Sequence, residues 1–242
     1  GDDVSLEEFE ALGEVVCYGL SAPEKNAERA KDADILVVNK IPMNEASLSL
    51  AENLKLICLT ATGTNNVDFS YTNKRGIAVA NVKGYSTQSV IQHTFALFFY
   101  LYEKMAYYDH FVKSGEYSRN DILSHFDKRF NELYGKTWGI IGLGEIGRGV
   151  AAIAKLFGCK VLYYSTSGKN DNPDYERVDL DTLLGESDVV SIHAPLNDGT
   201  LNLIGAEEFA KMKKSAILLN LGRGPIVNQE ALADALERGV IA

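Results

Sequence analysis

One glycine-rich hexapeptide restricts the possible folds of this chain more than any other feature. Residues 142–147 read Gly-Leu-Gly-Glu-Ile-Gly; they follow the apolar run at 138–141 and precede a stretch with apolar residues at helical spacing. In such a strand–turn–helix unit, Gly142 permits the tight turn, Gly144 lets the backbone approach a diphosphate, and Gly147 lets the helix pack close to the strand. The pattern therefore predicts a dinucleotide-binding unit. A glycine-rich turn that binds no ligand is the alternative.

Short apolar runs alternate with amphipathic stretches on both sides of this motif, which indicates an α/β fold with parallel sheets. A longer apolar segment at 86–108 separates two such series, so we expect two domains, at 1–85 and 86–242. The polar stretch at 109–134 is expected to form a surface excursion. The predicted strands are 14–18, 34–38, 55–60, 77–81, 137–141, 160–164, 189–193 and 216–220. The predicted helices are 5–12, 23–31, 44–53, 69–74, 86–108, 146–157 and 228–238.

The balance of charge argues against several kinds of partner. The chain has 24 Lys and Arg against 33 Asp and Glu, a net charge of −9, whereas nucleic-acid and membrane-surface binding depend on basic patches. No run reaches the ~20 apolar residues of a membrane span, and no basic and apolar leader opens the sequence, so a cytoplasmic location is expected. The spacing of His, Cys, Asp and Glu indicates no metal site. Cys17, Cys58 and Cys159 are expected to be small buried apolar residues in a reducing compartment.

The residues after the strand at 160–164 bear on the cofactor. An NAD site usually has Asp or Glu at this point to bind the ribose hydroxyls, but here the position is Ser165. No carboxylate is present to repel a 2′-phosphate, and the hydroxyls of Ser165, Thr166 and Ser167 together with Lys169 could receive one. The sequence therefore favours NADP over NAD. The alternative is that Ser165 only hydrogen-bonds a ribose and Lys169 is a solvated loop charge.

Arg223 follows the apolar strand at 216–220 and has a glycine on either side. Open α/β sheets bind their ligands at the carboxyl ends of the strands, and the guanidinium fork suits a carboxylate. We interpret Arg223 as a residue placed for an anionic substrate, with a surface ion pair as the alternative.

A polar loop and two histidines give weaker indications. The loop at 60–68 contains Gly63 and follows a strand, so its backbone N–H groups could hold an anion, although a plain connecting loop is an equal alternative. His193 ends a predicted strand near the cofactor edge, and we interpret it as a structural residue, with a direct catalytic role as the alternative. His93 lies within the helix predicted at 86–108, and we expect it to be packed and hydrogen-bonded.

Taken together, these residues resemble the D-isomer-specific 2-hydroxyacid dehydrogenase family. The matching stretches are 61–68, 84–97, 135–147, 187–195 and 220–232, and the whole pattern is most similar to the glycerate dehydrogenase and hydroxypyruvate reductase branch. The resemblance implies a flavodoxin-like substrate domain at 1–85 and a Rossmann NAD(P)-binding domain at 86–242. It further implies an active site in the cleft between them, a small 2-keto or 2-hydroxy acid as substrate, and a homodimer built through the cofactor domain.

The same resemblance implies roles for individual residues. Arg223 corresponds to the catalytic arginine, which binds the substrate carboxylate and polarises the keto oxygen. Gly63 and Thr64 would offer backbone donors to that carboxylate. The positions expected to bind the cofactor, from the resemblance or from the reasoning above, are Thr62, Gly142, Gly144, Glu145, Ile146, Gly147, Ser165, Thr166, Ser167, Lys169, Ala194, Leu221, Gly222 and Arg223.

The family's reaction also needs a histidine as general acid–base and a glutamate that keeps it protonated. Both would follow the stretch that matches 228–242, and the first series of elements begins without a leading strand. We therefore expect the sequence to be truncated at both ends. On that expectation, these 242 residues alone would bind cofactor weakly or not at all and would not turn over.

Two other functions are compatible with parts of the pattern. A non-catalytic relative of the corepressor type could use the same fold to sense nicotinamide levels, and Arg223 does not separate the two because such relatives can keep it. A different Rossmann enzyme, such as a hydrolase of adenosylhomocysteine, shares the glycine motif but has a much longer substrate domain with other catalytic groups.

Overall fold

The computed structural model describes residues 5–20, 22–119, 121 and 124–242, and the chain divides into two compact units, Gly1–Tyr85 and Ser86–Ala242. Each unit has its own parallel sheet and its own apolar core. The predicted α/β fold with parallel sheets is confirmed.

In the first unit, parallel strands run in the order β1-β2-β3, with bounds Ile35–Val38, Leu56–Leu59 and Ala78–Asn81. The helices around them are α1 (Glu7–Glu10), α2 (Asn26–Ala30), α3 (Glu45–Leu48) and α4 (Phe69–Lys74), with a 3₁₀ turn at Pro23–Lys25. Helix α3 begins with a reciprocal cap, because Asn44 accepts from the Ser47 N–H while the Ser47 hydroxyl accepts from the Asn44 N–H. Leu48, Ile57 and Leu59 are fully buried between helices and sheet.

The strand predicted at 14–18 is wrong. Residues 11–20 are all exposed and form no strand, and Cys17 is exposed rather than buried. Two adjacent valines and a tyrosine give this segment a strand-like composition, but β-preference is realised only against a partner strand and a packing surface. Within the described residues, β1 pairs only with β2. Of the other two cysteines, Cys58 is half-buried and Cys159 is buried.

The second unit is a parallel sheet in the order β6-β5-β4-β7-β8. Its strands are β4 (Thr137–Ile141), β5 (Lys160–Tyr164), β6 (Glu176–Arg177), β7 (Val189–Ile192) and β8 (Ile217–Asn220). Its helices are α5 (Thr87–Tyr102), α6 (Met105–Lys113), α7 (Glu145–Leu156), α8 (Leu180–Glu186), α9 (Ala206–Lys211) and α10 (Gln229–Glu237), with 3₁₀ turns at Tyr117–Arg119 and Gly224–Ile226. The chain leaves β4 toward β5 and later returns to its other side as β7, so a topological switch point lies at β4.

Two apolar layers cover the faces of this sheet. On one face, α5 and α7 pack over Trp138, whose fully buried ring lies 5.0 Å from Phe95 and 4.9 Å from Phe98, centroid to centroid. On the other face, a second cluster surrounds Ile141 and Ile192. Fully burying one such side chain contributes about 1.5–3 kcal/mol, so the sheet is a rigid base for the loops at its carboxyl edge. No helix in the described part of the chain is long and apolar enough to cross a membrane.

The segment at 86–108 is two helices rather than one. Lys104 has a left-handed backbone, with φ of 54°, which ends α5 and restarts the chain as α6. The surface excursion predicted at 109–134 is partly helical and contains packed aromatic rings. Helix α6 extends into it, and the rings of Phe111 and His125 stack with centroids 3.8 Å apart. Strand β6 and helices α8 and α9 are absent from the predicted elements.

Candidate functional site

Packing fixes two glycines of the 142–147 turn. Gly142 has φ of +94°, a conformation that favours glycine, and a Cβ built there would lie 2.9 Å from the Ala194 backbone nitrogen. A Cβ on Gly147 would lie 2.3 Å from the carbonyl oxygen of Gly142. Any side chain at either position would therefore displace backbone. The turn brings the start of α7 close to the end of β4, as the sequence motif predicts.

Gly144 differs from these two glycines, because a Cβ built on it would meet no atom within 4 Å. It is the N-cap of α7, with no side-chain cap, and the N–H groups of Glu145 and Ile146 have no acceptor among the described residues. Open space, free N–H groups and the positive end of a helix dipole are what a diphosphate requires. The residues of this turn therefore fit the diphosphate of a nicotinamide dinucleotide.

The turn after β5 holds the residues predicted to meet the adenosine ribose. Ser165 is only 5% exposed, and its Oγ accepts from the Asn170 N–H at 3.4 Å. The Gly168 N–H donates to the Ser165 carbonyl at 3.2 Å, with Gly168 at φ +70°. Ser165 thus orders the turn. Thr166 is half-buried, whereas Ser167 and Lys169 are exposed and form its outer surface.

The carboxyl ends of β7 and β8 meet the glycine turn. The Leu221 N–H donates to the Ile192 carbonyl at 3.0 Å, which continues the pairing of the two strands by one residue. A Cβ on Gly222 would lie 2.7 Å from the Ala194 carbonyl oxygen, while Ala194 also contacts Gly142. The structure therefore brings Gly142, Ala194, Leu221 and Gly222 together at one edge of the sheet.

Arg223 is exposed at the same edge, and the Asn220 side chain fixes its backbone. Asn220 accepts from the Gly222 N–H at 3.1 Å and donates to the Arg223 carbonyl at 2.9 Å. The guanidinium donates only to the Gly222 carbonyl, at 3.0 Å, and within the described residues it has no carboxylate partner. Asn220 is not among the site residues predicted from the sequence, although an Asn at a strand end, close before a glycine, is typical of a side chain that fixes a turn.

The loop with Thr62, Gly63 and Thr64 lies in the first unit, after the central strand β2. Thr62 donates from its hydroxyl to the Val82 carbonyl at 2.8 Å, and the Thr62 carbonyl accepts from Asn81 at 2.7 Å. The N–H groups of Gly63 and Thr64 have no acceptor in the part of the chain that the structure describes. The loop is thus held by its side chains and leaves two adjacent backbone donors free.

The two histidines considered from the sequence, His193 and His93, have different surroundings in the structure. His193 follows β7, and its Nε2 lies 3.0 Å from Ser191 Oγ, which also accepts from Trp138 Nε1 at 2.9 Å. Its Nδ1 is buried without a partner among the described residues, and burial lowers the pKa of the imidazole to about 4. His93, expected to be packed, is instead exposed on α5 and lines an open cavity beside Leu221. The apolar face of α5 holds Phe95 and Phe98 rather than His93.

The buried His193 predicts a loss of stability in mild acid. Its pKa falls from 6.5 in the unfolded chain to about 4 in the folded one. Between these two pKa values the unfolded chain binds a proton that the folded chain does not. The contribution of His193 to the free energy of unfolding is therefore fully present above about pH 6.5 and is lost as the pH decreases toward 4. We expect the free energy of unfolding, measured by urea titration, to fall by about 2 kcal/mol from pH 7 to pH 5 through this group.

The His193→Asn variant serves as the control because asparagine does not titrate. Subtracting its pH profile from that of the parent isolates the contribution of His193 from those of carboxylates such as Asp188, whose pKa is lowered. Identical slopes for the two proteins between pH 7 and pH 5 would contradict the prediction.

In the described part of the chain, no group of three or more His, Cys, Asp or Glu side chains is close enough together to hold a metal ion. In the second unit the candidate site consists of the glycine turn, the β5 turn and the Arg223 loop, and the first unit has its own candidate loop at Thr62.

The sequence of this chain is similar to those of known enzymes. Residues 95–242 match the family model described as D-isomer specific 2-hydroxyacid dehydrogenase, NAD binding domain. The chain is 38% identical over 240 residues to a glycerate dehydrogenase of Methylorubrum extorquens, covering 99% of this chain and 75% of that protein.

Two solved structures are also similar. An acyclic imino acid reductase in complex with NADPH and D-Arg superposes with a TM-score of 0.86 at 28% identity, covering 98% of this chain and 75% of that one. A D-lactate dehydrogenase from Aquifex aeolicus, complexed with NAD and lactic acid, gives a TM-score of 0.80 at 33% identity, and the match covers 89% of this chain and 64% of that one.

Proposed function

This chain belongs to the D-isomer-specific 2-hydroxyacid dehydrogenase family, and from that premise we propose that it transfers a hydride between NADP(H) and a small D-2-hydroxy or 2-keto acid of the glycerate and hydroxypyruvate type. The second unit, Ser86–Ala242, is the NAD(P)-binding domain of this proposal, and the first, Gly1–Tyr85, is its substrate domain. The observation that carries the proposal is the open helix start at Gly144 on the same sheet edge as Arg223.

The proposed roles follow from which hydrogen-bond donors have no partner among the described residues. The bound nicotinamide supplies the hydride chemistry. Arg223 has a guanidinium with no carboxylate partner among the described residues, so it can bind the substrate carboxylate and stabilise negative charge on the keto oxygen. The N–H groups of Gly63 and Thr64 are donors for the same carboxylate. His193 has a pKa of about 4 and is neutral near pH 7, which argues against it as the proton donor.

The remaining proposed contacts are to the cofactor. The glycine turn binds the diphosphate through the N–H groups of α7, with Glu145 and Ile146 at its start. The other residues assigned to the cofactor are Thr62, Thr166, Ser167, Lys169, Ala194, Leu221 and Gly222, with Ser165 supporting the β5 turn from within. The preference for NADP over NAD rests on the absence of Asp or Glu at position 165.

The substrate proposal rests on the glycerate dehydrogenase similarity together with the chemistry of the pair: oxidation of the 2-hydroxyl of glycerate gives hydroxypyruvate. A spectrophotometric assay of the full-length protein tests it by following oxidation of NADPH and NADH with hydroxypyruvate, glyoxylate, pyruvate and phenylpyruvate. We expect the highest kcat/KM with hydroxypyruvate and NADPH.

Each outcome of that assay bears on a different part of the proposal. A higher kcat/KM for another keto acid overturns the substrate, and a strong NADH preference overturns the interpretation of the β5 turn. Binding of NADPH without turnover of any of the four acids overturns the enzymatic role. The homodimer and the cytoplasmic location stay predictions, the first of which sedimentation of the full-length protein would test.

A further inference from the structure

Arg177 brings a second positive charge to the turn after β5. It lies on β6, where it pairs in register with Tyr163, two residues before Ser165. A Cβ built on Gly168 would lie 3.8 Å from Arg177 Nη2. The guanidinium is therefore beside the tip of the same turn that presents Thr166, Ser167 and Lys169.

Neither of these cations has a partner in the described chain. Arg177 and Lys169 are both exposed, and neither side chain forms an ion pair or hydrogen bond with a described residue. The carboxylates on either side of Arg177 are engaged: Glu176 pairs with Lys160 at 3.4 Å, and Asp179 caps α8 by accepting from the Thr182 N–H at 2.7 Å, while Asp171 and Asp174 form no ion pair with Arg177 or Lys169 in the described chain. The charges of Arg177 and Lys169 are therefore available to an external anion.

The turn itself is held by its own hydrogen bonds. Tyr163, fully buried, donates from its hydroxyl to the Asn170 carbonyl at 3.5 Å and accepts from the Asn172 N–H at 3.1 Å. The Asn170 N–H donates to Ser165 Oγ. The backbone of a turn fixed in this way is preformed, which reduces the entropic cost of ordering it when an anion binds.

We propose that Arg177, together with Lys169, binds the 2′-phosphate of NADP(H) and is a specificity-determining residue of this protein. The inference rests on the proposed cofactor site at the end of β5 and adds the residue that would discriminate between the two dinucleotides. A phosphate monoester carries nearly two negative charges near pH 7, and the planar guanidinium fork binds such a group through two parallel N–H donors. Arg177 also lines a cavity with Tyr164 and Val178, next to the position of the turn.

The test uses two probes that differ only by the phosphate in question, 2′,5′-ADP and 5′-AMP. Their dissociation constants are measured by isothermal titration calorimetry on the full-length protein and its Arg177→Gln variant. We expect the variant to bind 2′,5′-ADP about 10- to 100-fold more weakly, the usual effect of losing a charged hydrogen-bonded pair. Binding of 5′-AMP should change by less than about twofold. Arg177→Lys keeps the charge but not the two parallel donors of the guanidinium, so its dissociation constant for 2′,5′-ADP should lie between those of the parent and of Arg177→Gln.

Lys214→Gln is the matched control, because it removes one exposed cation from the other edge of the same sheet, before β8 begins. It should leave both dissociation constants unchanged. Equal weakening of both probes by Arg177→Gln would assign the residue a merely structural role and overturn the inference, as would no change in either. If the unmodified protein prefers 2′,5′-ADP and Arg177→Gln keeps that preference, only the inference fails. If the unmodified protein shows no preference, the proposed NADP specificity fails as well.

Discussion

Arg223→Gln in the full-length protein is expected to lower kcat/KM for the 2-keto acid by about 100- to 1,000-fold. Removing one preorganised donor to a developing oxyanion has an effect of this size, and Arg223 would also lose its bond to the substrate carboxylate. The side chain is exposed, and among the described residues its hydrogen bond to the Gly222 carbonyl is the one bond it makes. The measurement is steady-state kinetics with varied keto acid at saturating NADPH.

Arg223→Lys should recover little of that loss. A lysine keeps the charge, but it cannot present two parallel donors to a carboxylate. Arg238→Gln is the control, because Arg238 is an exposed arginine at the end of α10 whose one ion pair within the described residues is with Asp234, one turn earlier. It should keep the parent's kcat/KM.

The proposed role of Arg223 also predicts which constants change in Arg223→Gln and which do not. Because the guanidinium acts on the keto acid, the dissociation constant of NADPH should stay within about threefold of the parent value while kcat falls and KM rises. Retention of more than a tenth of the parent's kcat/KM by Arg223→Gln would remove Arg223 from the catalytic role.

Features fixed by neighbouring residues were predictable from the sequence. The bounds of β4 and β5 are those predicted, and Asn228 caps the helix that follows it by accepting from the Ala231 N–H at 2.9 Å. The glycine motif gave both the turn and the packing reason for its first and last glycines. All of these depend on contacts within a few residues, or on the period of an apolar pattern.

Features that depend on distant partners were not predictable in the same way. The segment 14–18 has a strand-like composition, but within the described residues no strand pairs with it. Strand β6 has only two residues, too few for an alternating pattern, so Arg177 could not be placed next to Gly168. The exposure of His93 depends on which face of α5 meets Trp138, and a helix apolar on more than one face leaves that choice open.

Substitutions at two glycines of the same turn are expected to affect cofactor binding and stability separately. Gly144→Val should weaken NADPH binding about 10- to 100-fold, because the new side chain would fill the space in which the diphosphate reaches the N–H groups of Glu145 and Ile146. Gly144 has φ of −78° and ψ of −159°, which any residue can adopt, and no atom lies within 4 Å of the new Cβ. Valine is a poorer N-cap than glycine by up to about 1 kcal/mol, so the melting temperature should fall by no more than roughly 2–4 °C.

Gly147→Ala is the matched variant and should destabilise the fold. Its Cβ would lie 2.3 Å from the Gly142 carbonyl oxygen, which is backbone and cannot rotate away. Overpacking of this kind costs up to about 3 kcal/mol, and the better helix propensity of alanine offsets about 1 kcal/mol of that. We expect a net loss of about 2 kcal/mol and a melting temperature lower by roughly 4–8 °C.

Comparing the two variants distinguishes a phosphate-binding turn from one that only packs. Calorimetric titration with NADPH gives the affinities, and thermal unfolding without ligand gives the stabilities. If Gly144→Val binds NADPH as tightly as the parent, the open helix start is not the diphosphate site, whatever Gly147→Ala does. If Gly144→Val lowers the melting temperature as much as Gly147→Ala does, Gly144 has a packing role that its surroundings do not indicate. Loss of affinity with little loss of stability is the result expected for a phosphate bound at the N-terminus of α7, because beyond the adjacent residues no described atom lies within 4 Å of a Cβ at position 144.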